Sequence, residues 1–365
     1  MTMTPGSGAE PTIGDRGPDF AVLDHAGASA TPLADAVAGR PIILVFEAEG
    51  GSAAFLRELR RYAELSAEFA ARGATIFPIS FEPVETLRAL HAREQLPFAL
   101  HSDAQGDVVK GNGARGDVAR AHGVQQRSRG GAPVSIVMDP NYRVQAVLAG
   151  ANEPHAETAL RHLGEEAARR PATVLGMHPP VLVLPRMLEP EECRALIDVW
   201  HRPVRYWHTD GHTSPGYEQD QDDFKVRNDF YGNVVQFVVR DPAINARLDG
   251  KLGPRVGREI RRAFQFSISS REPYRIACYD ASEGGALPAH RDDPTPATLH
   301  RRFTMSINLD AEGFQGGELR FREYGDQLYR TETGMAVIWS CTLLHEVLPV
   351  TAGRRFILGT HVFAG

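Results

Sequence analysis

The sequence predicts two domains: a three-layer α/β domain in the first half, and a β-rich sandwich or barrel with flanking helices in the second. Three observations carry this. The chain has 365 residues, more than one ordinary domain accommodates. Between 14 and 168, apolar runs of strand length alternate with segments of helical period. From 273 onward, short strands follow one another between glycine, proline and acidic turns.

In the first half, DFAVLDHAG (19–27) alternates like a strand, and PIILVFEAE (41–49) opens with the unbroken apolar run of a strand buried on both faces. AAFLRELRRYAELSAEFAARG (53–73) predicts one helix with a stripe of Phe55, Leu56, Leu59, Tyr62, Leu65 and Phe69, ending at Gly73. ATIFPIS (74–80) is a strand and VETLRALHARE (84–94) a helix. Residues 130–150 predict a hairpin turning at Asp139-Pro140-Asn141, and 155–170 a closing amphipathic helix.

Composition narrows the function classes. Hydrophobic residues make up 42% and charged residues 24%, as in globular proteins. A net charge of −6 gives no overall attraction to nucleic acid or anionic membrane. No apolar run is long enough to cross a bilayer. The polar, glycine-rich residues 1–13 read as a flexible lead-in, without the apolar core of a signal peptide. The cysteines are Cys193, Cys278 and Cys341, with no CxxC spacing. That excludes a disulfide scaffold and a cysteine zinc site, and suits the cytoplasm.

The order of elements, with GDRGPDFAVLDHAG, IILVFEAEGGSAAFLREL and APVSIVMDP, resembles the peroxiredoxin branch of the thioredoxin fold over 14–168. The resemblance implies a cis peptide at Pro133 and a reactive thiolate at the start of the first helix. That region is GGSAAFLRE (50–58), which has no cysteine. Ser52 cannot replace a thiolate, since an alcohol lacks both the nucleophilicity and the redox cycle. The domain is therefore expected to keep the fold without the chemistry, and to dock substrate, bind a partner, drive dimerisation or stabilise its neighbour.

Residues 169–179 read as a linker, and 180–365 as the second domain. VLVLPRMLEPEECRALIDVWH (181–201) is a strand, a turn and a helix with Glu189, Glu191, Glu192 and Pro190 at its start. Residues 205–231, around YEQDQDDF, predict a polar loop, and 247–264 a second helix. Six strands follow: PYRIACYD, RFTMSINLD, GELRFREY, DQLYRTE, GMAVIWS and RRFILGTHVF. In FTMSINL, Phe303, Met305, Ile307 and Leu309 alternate with Thr304, Ser306 and Asn308, as a strand lining a polar site would.

His290 and Asp292 head this β region in an H-x-D spacing, His345 lies 55 positions after His290, and Arg355 follows ten further on. Two histidines and a carboxylate are the ligand set of non-heme iron oxygenases, and arginine offers a fork for a carboxylate. ACYDASEGGALPAHRD, FTMSINLD, FQGGELRF and LLHEVLPVTAGRRFIL make 181–362 resemble the prolyl 4-hydroxylase-like branch of the 2-oxoglutarate/Fe(II)-dependent dioxygenases. The family fold is a double-stranded β-helix, or jelly roll. The resemblance implies that His290, Asp292 and His345 ligate iron, that Arg355 binds the distal carboxylate of 2-oxoglutarate, and that Tyr279 hydrogen-bonds the same molecule. Arg354 is expected on the opposite face of the strand from Arg355. Tyr274, Asn308 and Glu318 are candidate pocket residues. Asp293 has the wrong spacing to share a strand face with His290. His300 and His361 read as surface or core histidines.

The implied reaction hydroxylates a C–H bond and converts 2-oxoglutarate and O₂ to succinate and CO₂. The candidate substrates are amino acids, peptides and small metabolites. Ascorbate as an accessory reductant and a homodimer are further expectations; nucleic acid and membrane are not expected partners. Two rivals remain: a catalytically silent sensor or scaffold, and a thiol peroxidase-related protein.

Overall fold

The computed structural model describes residues 10–32, 39–49, 52–106, 114–128, 131–150, 153–163, 176–209, 220–228 and 233–364. Chain contacts group Gly8–Ala172 and Thr173–Gly365 into separate compact units.

In the first unit the order is β1 (Val22–Asp24), β2 (Ser29–Ala30), β3 (Ile42–Phe46), α1 (Ala53–Glu64), α2 (Ser66–Ala71), β4 (Thr75–Ser80), α3 (Val84–Glu94), β5 (His101–Ser102), α4 (Asp117–Ala121), α5 (Val124–Arg127), β6 (Val134–Met138), β7 (Val144–Ala149) and α6 (His155–Leu163). The sheet runs β2-β1-β5-β4-β3-β6-β7. β3 pairs parallel with β4 and antiparallel with β6. Every residue of β3 is buried because both faces are covered. Ile43 and Val45 pack with Phe55, Leu59, Tyr62, Leu87 and Leu160. Ile42, Leu44 and Phe46 pack with Val118 and Val124 on the other side. This is the three-layer, thioredoxin-like arrangement that the sequence predicts.

Several local expectations change. The helix over 53–73 breaks at Leu65, so two helices replace one, and only Phe55, Leu59, Tyr62 and Phe69 of the stripe are fully buried. Of 19–27, only 22–24 is strand. Within the lead-in, residues 1–9 lie outside the described residues. Residues 10–13 are tied down: Thr12 donates to Asp15, and Arg127 donates to the Pro11 carbonyl at 2.7 Å. The peptide bond before Pro133 is trans. The Ala132 carbonyl accepts from the Ser128 hydroxyl at 2.7 Å, which engages the trans form that prolyl bonds favour anyway. The closing helix is described to Leu163; 164–170, and 169–175 of the linker, lie outside the described residues.

The second unit contains β8 (Leu182–Leu184), α7 (Pro190–Trp200), β9 (Arg205–Thr209), β10 (Phe224–Asn228), β11 (Val234–Val238), α8 (Pro242–Phe264), β12 (Ser270–Arg271), β13 (Arg275–Asp280), β14 (Leu287–His290), β15 (Phe303–Asn308), β16 (Phe314–Gly316), β17 (Leu319–Arg320), β18 (Leu328–Tyr329), β19 (Ala336–Ser340), β20 (His345–Val347) and β21 (Val350–Phe363). The larger sheet runs β8-β19-β15-β21-β13-β11-β10-β9, with β12 and β16 also on β21; the smaller runs β14-β20-β17-β18. The expected loop at 205–231 thus contains strands β9 and β10, whose aromatic and β-branched residues suit pairing. Residues 210–219 and 229–232 lie outside the described residues. GELRFREY and DQLYRTE give strands of only two residues each, with a 3-10 turn at Arg322–Tyr324 between them.

Alternation along the strands sets the two faces. Ile276 and Cys278 of β13, Met305 and Ile307 of β15, and Phe356 and Leu358 of β21 share a core with Leu196 of α7 and Leu248, Leu252 and Val256 of α8. The opposite face puts Ala277, Tyr279, Val337 and Trp339 against Leu319 and Val347 of the smaller sheet and Phe321 just after β17. One face rests on helices and the other encloses the space between two sheets, as in a jelly roll.

Candidate metal centre

β14 and β20 are antiparallel neighbours, and His290 lies directly across from His345. Each ring is oriented from behind: His290 Nδ1 meets the Pro288 carbonyl at 2.8 Å, and His345 Nδ1 meets the Leu343 carbonyl at 3.0 Å. Both Nε2 atoms therefore turn toward Asp292, at 3.4 Å from Oδ1 for His290 and 3.5 Å from Oδ2 for His345. One ligand atom from each of the three lies within 4.8 Å of the others. Asp292 is fixed through its own N–H, which donates to the Cys341 carbonyl at 2.9 Å, and through Oδ2, which accepts from the Thr304 hydroxyl.

Electrostatics follow from this packing. Burial opposes charge on Asp292, but the neighbouring imidazoles of His290, His361 and His345 hold its carboxyl well below the usual range. Burial pulls His290 down, and Asp292 more than reverses this, so His290 is raised. His345 is lowered by burial.

The triad opens on a cavity of about 400 Å³. Arg355, Ile357, Gly359 and His361 enter it from β21, and Tyr279, Ala277 and Arg275 from β13. The Arg355 guanidinium sits 5.4 Å from the Tyr279 ring and 6.0 Å from the Phe314 ring. Burial lowers its pKa, and among the described residues its side chain has no hydrogen bond or ion pair. Gly316 and Gly317, both with φ near +70°, let the chain cross over it; a Cβ on Gly317 would stand 3.2 Å from Arg355 Cδ and 2.8 Å from Val350 Cγ2.

Arg354 points away and pairs with Asp280 at 2.7 Å. Three proposed pocket residues are not part of the cavity lining. Tyr274 has the parity of Ile276, not of Tyr279, so it lies in the helix-side core with its hydroxyl on Asp249. Asn308 turns its amide to the Thr331 carbonyl at 2.7 Å. Glu318 pairs with Arg330 at 3.5 Å, while its neighbour Leu319 faces inward.

His361 corrects a further expectation, for it lines the cavity instead of lying on the surface or in the core. Its Nε2 is 3.7 Å from Asp292 Oδ1 and its Nδ1 is 3.1 Å from Glu272. It lies six positions after Arg355, an even offset, so strand parity could have revealed it. His300 is exposed and also meets Glu272, at 3.1 Å. Cys341 and Cys278 are buried, with Cys341 Sγ 3.3 Å from the Thr304 hydroxyl.

A sequence model of the 2OG-Fe(II) oxygenase superfamily matches residues 274–362, the segment that holds the triad and Arg355. The second unit carries a 2OG-Fe(II) oxygenase domain. A model of the AhpC/TSA family matches residues 13–147, within the first unit. Curated relatives of this chain include a PKHD-type hydroxylase of Xanthomonas campestris pv. campestris (strain B100), 41% identical over 78 residues, which are 21% of this chain and 30% of that protein. Another, from Synechococcus sp. (strain JA-2-3B'a(2-13)), is 31% identical over 87 residues, 22% of this chain and 38% of that protein. The chain thus spans 30–38% of the length of these relatives. Among solved structures, a Pseudomonas putida prolyl-4-hydroxylase aligns with 51% of this chain and 94% of its own at 19% identity and TM-score 0.37. Peroxidoxin BcpB from Mycobacterium tuberculosis aligns with 42% of this chain and 97% of its own at 25% identity and TM-score 0.35. No described helix is long and apolar enough to cross a membrane.

Proposed function

We propose that the oxygenase domain is an Fe(II)- and 2-oxoglutarate-dependent dioxygenase that hydroxylates a C–H bond of an amino acid, peptide or small metabolite. The observation that carries this is the pairing of the His290–Asp292–His345 cluster with a half-buried Arg355 that has no ion-pair partner among the described residues, in one cavity. Two imidazole nitrogens and one carboxylate oxygen fit a divalent iron and leave positions for other ligands. When bound, iron with 2-oxoglutarate and O₂ supplies the oxidising chemistry, with succinate and CO₂ as co-products.

The chain's own residues orient and exclude. Pro288 and Leu343 carbonyls fix both imidazoles so that Nε2 faces the metal position. Arg355 supplies the fork for the distal carboxylate of 2-oxoglutarate, with Tyr279 beside it. A half-buried cation with no direct ion pair gains from a carboxylate beside it, so a bound carboxylate stabilises the site as well as the ligand. Trp339, Leu319 and Val347 are apolar walls of the same cavity and limit water around the reacting centre.

The first unit is proposed to be non-catalytic. Ser52 stands at the start of α1, where its hydroxyl accepts from Phe55 N–H as a helix cap. All three cysteines are buried in the second unit.

The test is anaerobic absorption spectroscopy with Fe(II) and 2-oxoglutarate. A weak visible band is expected from the wild type and is lost in His290→Ala. A wild type without the band, under conditions where it binds neither component, overturns the reading.

A further inference from the structure

Glu272, Arg301 and His361 form a connected set around the far side of Asp292. Arg301 grips Glu272 through Nε at 2.6 Å and a terminal nitrogen at 2.9 Å. Its other terminal nitrogen donates to the main-chain carbonyl of Asp292 at 2.9 Å. Glu272 meets His361 Nδ1 at 3.1 Å, and His361 Nε2 returns to Asp292 Oδ1 at 3.7 Å. The circuit closes on the residue where it began, once through the backbone and once through the side chain. Its four side chains are only 10–17% exposed.

We propose that His361 is a positioning residue for the Asp292 carboxylate, held in place by Glu272 and Arg301. The role rests on the metal-centre reading above. A carboxylate that can rotate offers a cation either one oxygen or two. Here Thr304 occupies Oδ2, and the His361 ring stands beside Oδ1. With Nδ1 held by Glu272, the ring packs beside Oδ1 and limits rotation of the carboxylate, which keeps Oδ1 3.4 Å from His290 Nε2 and Oδ2 3.5 Å from His345 Nε2. Outer partners of this kind typically contribute 10–100-fold to metal affinity. Nothing in the proposed reaction uses Glu272 or His361 otherwise, yet the two segments are joined: Glu272 directly follows β12, which pairs with β21, and Thr360 next to His361 donates to the Glu272 carbonyl at 2.8 Å.

The two nitrogens of His361 allow the role to be separated from simple packing. His361→Gln keeps a polar atom near the Nε2 position, facing Asp292. His361→Asn keeps one near Nδ1, facing Glu272. The experiment titrates Co(II) into metal-free full-length protein, reading visible absorption, with melting temperatures measured in parallel. Co(II) affinity within about threefold of wild type is expected for His361→Gln, and a loss of roughly 10–100-fold with an altered band for His361→Asn. Equal affinities in the two variants, or wild-type affinity in both, overturn the proposal. If neither variant folds, Glu272→Gln reads the same brace: a several-fold loss supports it and no loss overturns it. A wild type that binds no Co(II) overturns the metal reading itself, and this role with it.

Discussion

His290 and His345 face each other across the β14–β20 pair, with ring centroids 4.4 Å apart and planes inclined by 49°. A cross-strand pair makes each ring depend on the register of the other strand. Removing either imidazole should therefore remove the site: His290→Ala and His345→Ala are each expected to weaken Fe(II) binding by more than roughly a hundredfold, since two remaining ligands leave a weak, open site. Equilibrium dialysis of metal against each variant checks this.

Arg355 is expected to govern 2-oxoglutarate and not metal. Hydrogen bonds to a charged group contribute about 1.5–3 kcal/mol each, so Arg355→Ala should raise the Kd for 2-oxoglutarate by roughly 10–150-fold. Arg355→Lys should recover only part, because a point charge does not reproduce the fork. Co(II) affinity should stay within about twofold of wild type; a comparable loss would show that Arg355 acts through the triad.

Gly317 gives a sharper version of the same test. Its φ of +69° and the contacts a Cβ would make with Val350 and Arg355 leave no room for a side chain. Gly317→Ala is expected to destabilise the fold by about 1 kcal/mol or more and to weaken 2-oxoglutarate binding, with metal affinity preserved. Thermal melting together with ligand titration separates the two effects.

Two buried histidines of the first unit should each favour unfolding at acid pH. Burial lowers His101 and His122 from 6.5 to about 4 each. Both are neutral when folded but take up a proton on unfolding once the pH is below 6.5. Their stabilising contribution is thus complete above pH 6.5 and is lost as pH falls toward 4. Burial raises Glu47, Glu58 and Asp103 of the same unit, and these act with the opposite sign as pH falls, so the histidine contribution is read as a difference: between pH 6.5 and 4 the melting temperature of His122→Leu should fall less, or rise more, than that of the wild type. An unchanged slope would remove His122 from the account.

The thiols should be unreactive in the folded chain. Burial pushes Cys193 up to about 11, and Cys278 and Cys341 up to about 12. Ellman's reagent is expected to label none of the three rapidly before denaturation, and the protein should not consume hydrogen peroxide at a thiol-dependent rate. Fast labelling of one native thiol would reopen the peroxidase alternative.

Much of this was legible from periodicity. The buried run at 42–46, the hairpin of β6 and β7, and the two faces of β15 follow from side-chain alternation alone. The H-x-D spacing marked His290 and Asp292, and parity placed Arg354 outside. What stayed hidden depended on tertiary partners. The break at Leu65 leaves the apolar stripe intact, so periodicity does not register it. Tyr274 and Glu318 looked equivalent to pocket residues until their partners, Asp249 and Arg330, claimed them. Glu272 carried no signal at all, because its importance comes from residues 29 and 89 positions away.

β21 runs unbroken for 14 residues and bears both Arg355 and His361 on one side. A single-residue insertion or deletion just before Arg355 would therefore turn both side chains outward together, whatever its effect on overall folding. Sequence change in this strand is then constrained in frame as well as in content. Substitutions can be absorbed one at a time, whereas a shift in spacing erases the anion anchor and the carboxylate's neighbour in the same event.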